Sequence, residues 1–342
     1  MALHILGDMH FMNSHEWDKL CMERFLDYFE GVSVSTNDDL LLEGDITHSK
    51  FNDSITIDCV SKFISIALKK YDNIYIIGGN HDMFEDEHHN IEYTTKYLKH
   101  FAPDRIHLIY DETVLDIKGL KVLALPHKKS SAIELDEYYN HNLDKKFYET
   151  EYDLIVGHTT IFDPEIPVAG GVELDRFKTK YAYFGHVHIR FGTQAKHYTG
   201  SIMPVKKTEN GGDLCRCLAI VSKDGIKEID LPVIKKFEEV DLIDGIPTNL
   251  SKKGDSPVVI YDFKNCNNET IESLRKDYFI RYEKDVIKGI ETEISQDDGN
   301  KTIVNKLFNN FYDAYKLMCR ENNITPKRAV DAIMKRLLIE ID

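Results

Sequence analysis

Tyr181-Ala182-Tyr183-Phe184-Gly185-His186-Val187-His188 is an apolar run that halts on a glycine and then presents two imidazoles two residues apart. The run has the length and the aromatic content of a buried strand. With 19 Gly and 15 His in 342 residues, shuffling would produce Gly-His-x-His only about 0.04 times per chain, so composition does not account for it.

The same construction recurs upstream. Leu3 to Leu6 runs into Gly7-Asp8-Met9-His10, Leu40 to Leu42 into Glu43-Gly44-Asp45, Ile74 to Ile77 into Gly78-Gly79-Asn80-His81-Asp82, and Leu154 to Val156 into Gly157-His158; Val122 to Leu125 is a further strand-like run. Between the first two lies a helical stripe of Leu20, Cys21, Arg24, Phe25, Tyr28 and Phe29, and between the next two one of Val60, Phe63, Ile64, Ala67 and Leu68. Strand and helix in alternation predict an α/β fold with parallel strands. Ligands gather beyond the carboxyl ends of such strands, where all these polar groups fall. Taken singly, Gly-Asp or Asn-His-Asp is ordinary turn chemistry. Five such pieces in this order are not.

The residue types point to one chemistry. Asp8, His10, Asp45, Asn80, His158, His186 and His188 form a mixed nitrogen and oxygen set without thiolate, suited to manganese, iron or zinc and unlike an all-oxygen calcium or magnesium cage. A carboxylate such as Asp45 has two oxygens and can bridge two ions. Two ions about 3.5–4 Å apart can share a hydroxide and clamp a phosphoryl group during in-line displacement, so phosphoester hydrolysis is the implied reaction.

Composition bounds the rest. The length suits one large domain with an appendage, or two domains. Hydrophobic residues at 42% and charged residues at 30% are those of a globular chain, and no apolar run is long enough to cross a bilayer. Met1 to Asp8 lacks a basic n-region, so the expectation is a mature cytoplasmic protein without a membrane anchor. Cys21, Cys59, Cys215, Cys217, Cys266 and Cys319 are scattered without C-x-x-C and read as reduced packing residues. A net charge of −15 argues against whole-surface binding of nucleic acid. Locally the sign reverses: Arg176, Lys178, Lys180, Arg190, Lys196, Lys206 and Lys207 fall in one stretch free of Asp and Glu, which is either a solvated face or a dock for a polyanion.

Near residue 240 the texture changes. Asp244-Gly245-Ile246-Pro247 and Lys252-Lys253-Gly254-Asp255-Ser256-Pro257 punctuate the chain, and a small strand, helix, strand unit follows at 258–282. Ile303, Val304, Leu307, Phe308, Phe311, Tyr312, Tyr315 and Met318 then mark one amphipathic helix. Val330, Ile333, Met334, Leu337 and Leu338 mark another, which Thr325-Pro326 opens. Their apolar stripes need a cover, either their own domain or a partner helix. The expected units are 1–240, 241–300 and 301–342.

The ordered set Asp8-x-His10, Gly44-Asp45, Gly79-Asn80-His81-Asp82, Gly157-His158 and Gly185-His186-x-His188 resembles the calcineurin-like metallophosphoesterase superfamily across most of residues 1–200. That resemblance implies a four-layer α/β/β/α sandwich with a small α+β cap and C-terminal helices. It implies that Asp8, His10, Asp45 and His188 hold one divalent ion, that Asp45, Asn80, His158 and His186 hold a second, and that both are manganese. It makes His81 the catalytic residue that meets the phosphate and serves the leaving alkoxide, with Asp82 as its orienter.

Gly44-Asp45-Ile46-Thr47-His48 lacks the arginine that phosphoprotein phosphatases carry after this Gly-Asp. His48 instead is similar to the phosphate-contacting histidine of DNA-repair nucleases of the SbcD and meiotic-recombination type and their phage relatives. Tyr198-Thr199-Gly200-Ser201 and Leu231-Pro232-Val233 resemble the stretch that closes the core of those nucleases. The resemblance therefore implies a DNA exonuclease and endonuclease whose C-terminal helices grip an SMC-like coiled-coil ATPase of the SbcC type. The basic run, which brackets His186 and His188, would meet the DNA backbone. Alternatives on the same scaffold are a small-molecule phosphodiesterase or phosphatase and a non-catalytic protein-binding platform, and a homodimer is left open. His127 follows a strand-like run and is a candidate for lining the cleft; His15, His88, His89, His100 and His141 read as surface residues.

Overall fold

The computed structural model describes residues 1–49, 52–85, 88–89, 102–128, 138–162, 171–192, 196–205, 209, 216–243, 246–247, 258–264, 273–275 and 278–280. The helices expected at 303–341, most of the one expected at 270–277, His100, Lys206, Lys207, Cys215, Cys266 and Cys319 lie outside the described residues.

The chain opens with β1 (Leu3–Leu6), α1 (Glu16–Gly31), β2 (Asp39–Leu42), α2 (Ser54–Lys70) and β3 (Ile74–Ile77). There follow β4 (Met83–Glu85), β5 (His88–His89), β6 (Ile106–Ile109), β7 (Thr113–Ile117) and β8 (Leu120–Leu125). Next come α3 (Lys145–Glu149), β9 (Glu151–His158), β10 (Lys178–Gly185), β11 (Phe191–Gly192), β12 (Lys196–Tyr198), β13 (Cys217–Ser222) and β14 (Gly225–Asp230). Last are β15 (Lys236–Ile243), β16 (Ile246–Pro247), β17 (Val258–Lys264) and β18 (Phe279–Ile280).

Two six-stranded sheets dominate, ordered β14-β13-β1-β2-β3-β6 and β11-β12-β10-β9-β8-β7. In the first, β1, β2, β3 and β6 are parallel, and in the second β8, β9, β10 and β12 are parallel. Such strands are covered on both faces, which is why they read as unbroken apolar runs. Alternation then assigns the faces. Leu3, Ile5, Leu41 and Ile77 meet Val122, Ala124, Leu154, Val156 and Tyr183 between the sheets. Leu6, Leu40 and Leu42 face the other way, onto Phe25 and Phe29 of α1 and Phe63 and Ile64 of α2. On the far side Leu123, Ile155 and Phe184 pack with Tyr139, Leu143 and Phe147 of the segment around α3. Helix, sheet, sheet, helix is the four-layer α/β/β/α arrangement.

Caps fix the long helices. Asp18 reaches back to accept the amides of Ser14 at 3.1 Å and His15 at 2.9 Å, and Asp53 accepts from Thr56 at 2.8 Å. Several strands carry too weak a pattern to be singled out from sequence, β6 and β7 among them. β6 and β7 are half exposed and interrupted by polar residues, and the β7–β8 hairpin turns on Lys118 (φ 53°) and Gly119 (φ 78°), a left-handed pair that suits a tight turn. Cys21, Cys59 and Cys217 are buried free thiols.

The chain crosses residue 240 within β15, which belongs to a third sheet ordered β16-β15-β17-β18. Trp17 of α1 lies against Phe279 of that sheet, with ring centroids 5.6 Å apart. Among the described residues, no helix is long and apolar enough to cross a membrane.

Candidate metal centre

The carboxyl ends of β1, β2, β3, β9 and β10 come together at one edge of the paired sheets. Backbone conformation there is unusual. Asp8 (φ 45°), His10 (φ 49°), Asp45 (φ 49°) and His186 (φ 86°) occupy the left-handed region, which is costly for residues with a β-carbon and persists where surrounding contacts impose it. The contacts are present. The His10 amide donates to the Asp45 carbonyl at 2.9 Å, the His186 amide to both Asp8 carboxylate oxygens at 3.0 Å, and the His81 amide to Asp45 Oδ1 at 2.8 Å. Gly79 makes the approach of two loops possible, because a β-carbon there would lie 2.2 Å from Asp45 Oδ1.

All seven expected ligands stand in this cluster. Asp8, His10, Asp45 and His188 offer ligand atoms within 4.8 Å of one another. Nε2 of His10 and Nε2 of His188 face each other at 2.8 Å, and Asp45 Oδ2 is 3.6 Å from His10 Nε2. On the other side of Asp45, His158 Nε2 is 3.2 Å from Oδ2 and 2.9 Å from Asn80 Oδ1, which lies 3.0 Å from His186 Nδ1. Nδ1 of His158 donates to the Glu43 carbonyl at 2.8 Å, leaving Nε2 turned toward acceptors.

These donors fit a divalent cation. Asp45 Oδ2 is buried, accepts no well-formed hydrogen bond and is flanked by imidazole nitrogens. Without a cation the balance is met by protons. Burial opposes charge on His158, yet Asp45 and Asp8 push it up to about 10. Burial likewise opposes charge on Asp45, yet His158 and His10 hold it ionised below the usual carboxylate range. Burial lowers His10 well below its ordinary value, and burial with the neighbouring His158 lowers His186 to about 4. Neutral His10 and His186 beside an ionised carboxylate have the protonation states that metal ligands require.

His81 and His48 lie on the rim of this cluster, their rings stacked with centroids 4.8 Å apart. His81 Nδ1 is 2.6 Å from the His48 carbonyl, so Nδ1 is the nitrogen that donates there. His48 Nδ1 is 3.1 Å from Nδ1 of His10. Asp82 takes a different place from the expected one beside the His81 ring. Its buried carboxyl accepts the amides of Ile46 (3.0 Å), Thr47 (3.3 Å) and Gly79 (3.1 Å) and so ties the Asp45 loop to the Gly79 loop. Burial and the charge of Asp45 push it up to about 7.

Three further groups belong to the site. His127 stands with its ring 6.3 Å from His158 and 6.5 Å from His186, lining the cleft. Buried Glu209 receives His188 Nδ1 on Oε1 at 2.9 Å and the Val205 amide on Oε2 at 2.6 Å. Buried Glu43 accepts the Thr199 hydroxyl at 2.7 Å, and burial pushes its carboxyl up to about 8. Glu209 carries no local sequence signal; only the fold brings it to His188.

Four bases of the basic run are paired with carboxylates. Arg176 pairs with Glu173 at 2.5 Å, Lys180 with Asp153 at 2.9 Å, Lys196 with Asp175 at 3.2 Å, and Arg190 with both Glu228 and Asp230. Carboxylates that flank the run or come from other strands offset the charge of these four bases.

A family model described as calcineurin-like phosphoesterase matches residues 1–190. No curated protein matches the sequence. Among solved structures, a phosphopantetheinyl hydrolase from Mycobacterium tuberculosis is similar at 14% identity, covering 58% of this chain and 88% of that chain with a TM-score of 0.33. A protein of unknown function from Aquifex aeolicus is similar at 20% identity, covering 52% and 87% with a TM-score of 0.28.

Proposed function

The chain belongs to the calcineurin-like phosphoesterase family, and on that premise we propose that it is a two-metal DNA nuclease of repair or recombination. Family and ligand cluster together make it a metal-dependent phosphoester hydrolase. Asp8, His10, Asp45 and His188 would hold one ion and Asp45, Asn80, His158 and His186 the other. When bound, the pair supplies water activation at neutral pH and charge stabilisation for in-line displacement.

The observation that carries the diester reading is the His48–His81 pair. A phosphomonoester dianion is best met by a guanidinium fork. Among the described residues this rim carries two imidazoles instead, and Arg190 is engaged by Glu228 and Asp230. Imidazole donors suit the single negative charge of a phosphodiester. With His10 Nε2 turned toward the cluster, its Nδ1–H donates to His48 Nδ1, and His48 presents Nε2–H outward to a phosphoryl oxygen. His81, oriented through Nδ1 by the His48 carbonyl, delivers a proton from Nε2 to the departing alkoxide.

DNA as the diester rests on the resemblance around His48 and on the core-closing stretch, and residues 301–342 are the proposed seat of an SMC-like ATPase. A small-molecule diester is the second reading, favoured by the ion pairing of Arg176, Lys180, Arg190 and Lys196, which weakens an electrostatic guide for a polyanion. Labelled single-stranded and duplex oligonucleotides, incubated with Mn²⁺, Mg²⁺ or chelator beside methyl p-nitrophenyl phosphate, separate the two. Mn²⁺-dependent DNA cleavage supports the nuclease. Cleavage of the small diester with intact DNA overturns it. Deleting residues 303–342 should abolish ATPase binding and spare cleavage.

A further inference from the structure

We propose that Phe162 and Phe191 form an apolar subsite that stacks nucleobases of the substrate strand beside the metal centre. These side chains are 47% and 40% exposed, among the few large apolar side chains open to solvent in the described residues. The fold gathers them. Tyr183 stacks on His197 in the layer between the sheets, so their neighbours Phe184 and Tyr198 face outward. Phe191 of the edge strand β11 is registered opposite Tyr198 and therefore shares that outward face. The Tyr198 hydroxyl in turn accepts the Ile161 amide at 2.5 Å, which places Phe162 at the other end of the same band.

The band adjoins the chemistry. Phe191 follows His188 by three residues and Phe162 follows His158 by four, so their α-carbons lie within about 11 Å and 14 Å of those ligands' α-carbons. A strand whose phosphate sits among the ligands would have its neighbouring bases within reach of this face. Size selects the occupant. A phenylalanine covers about 150–250 Å², so two rings exposed to this degree offer about 130–220 Å², far below the roughly 800 Å² per partner of a stable protein interface. That area suits one or two bases, whose π-faces stack on aromatic rings without regard to sequence. The inference rests on the nuclease reading and deepens it to a single-stranded or frayed substrate.

The test is steady-state cleavage of a single-stranded oligonucleotide and of methyl p-nitrophenyl phosphate by the full chain with Mn²⁺. The double variant Phe162→Ala and Phe191→Ala should raise KM for the oligonucleotide about ten- to hundredfold, with kcat and the small-diester rate unchanged. Phe191→Trp, made in the presence of Phe162, should keep the wild-type KM. Abasic sites beside the scissile bond should cost the wild type as much as the alanine changes do and cost the double variant nothing further. DNA cleavage with unchanged KM in the double variant, equal loss on both substrates, or a loss of self-association in place of a KM effect overturns the subsite alone. A wild type that cuts the small diester and no DNA overturns the nuclease reading and the subsite together.

Discussion

His188 and Glu209 are joined by a 2.9 Å contact between Nδ1 and Oε1, with both side chains largely buried. A carboxylate behind a ligand imidazole fixes its tautomer and turns the other nitrogen toward the metal. Glu209→Ala is expected to weaken Mn²⁺ binding about ten- to hundredfold at one of two sites. Calorimetric titration of the metal-free protein checks this directly. Binding unchanged at both sites would show that the contact does not position His188.

His81 donates its backbone amide to Asp45, a bond that a side-chain change leaves in place, and sets its ring edge-on to His10 at 5.0 Å without being one of the expected ligands. His81→Gln should therefore keep metal stoichiometry while lowering turnover about 10²–10⁴-fold, the range for one acid–base group. Asp45→Ala removes the carboxylate between both ligand sets and should lower the metal content as well. Metal analysis beside turnover distinguishes them, and equal behaviour of the two variants would contradict the roles given.

Gly79→Ala introduces a β-carbon 2.3 Å from the Asp45 amide nitrogen and 2.2 Å from its Oδ1. Backbone has to move, and overpacking of this kind costs about 1–3 kcal/mol or more. The variant should melt lower and lose the rise in melting temperature that Mn²⁺ gives the wild type through linkage. An unaltered Mn²⁺-dependent rise would mean that the two loops need not approach so closely.

His4 tests pH dependence away from the metal centre. Burial lowers it below its ordinary 6.5, despite Asp38 at 3.3 Å. The unfolded chain then takes up this proton at higher pH than the folded one. Its contribution to stability is complete above about pH 6.5 and declines as pH falls through the folded value. Urea denaturation between pH 8 and pH 5 should show a shallower decline in His4→Gln than in the wild type, and identical slopes would refute it.

The sandwich was legible in sequence because strands covered on both faces must be apolar throughout, and those that turn into ligand loops must end on small residues. Leu3–Leu6 and Ile74–Ile77 were delimited to the residue. Half-exposed β6 and β7 carry no such contrast with their surroundings and were not singled out. The expected ligands could be named because they fall at the ends of five strands, two of them after β1 and two after β10, and few side chains suit a metal.

Sequence by itself determined which groups arrive at the edge of the sheets; what stands behind and around them was decided by tertiary structure. Glu209 behind His188, Asp82 beneath Asp45, and Glu228 against Arg190 are contacts between segments far apart in the chain, with 38 residues separating the last pair. Local patterning records burial and turn geometry one residue at a time. It holds no record of which distant carboxylate neutralises a given base, because that depends on how two sheets are stacked.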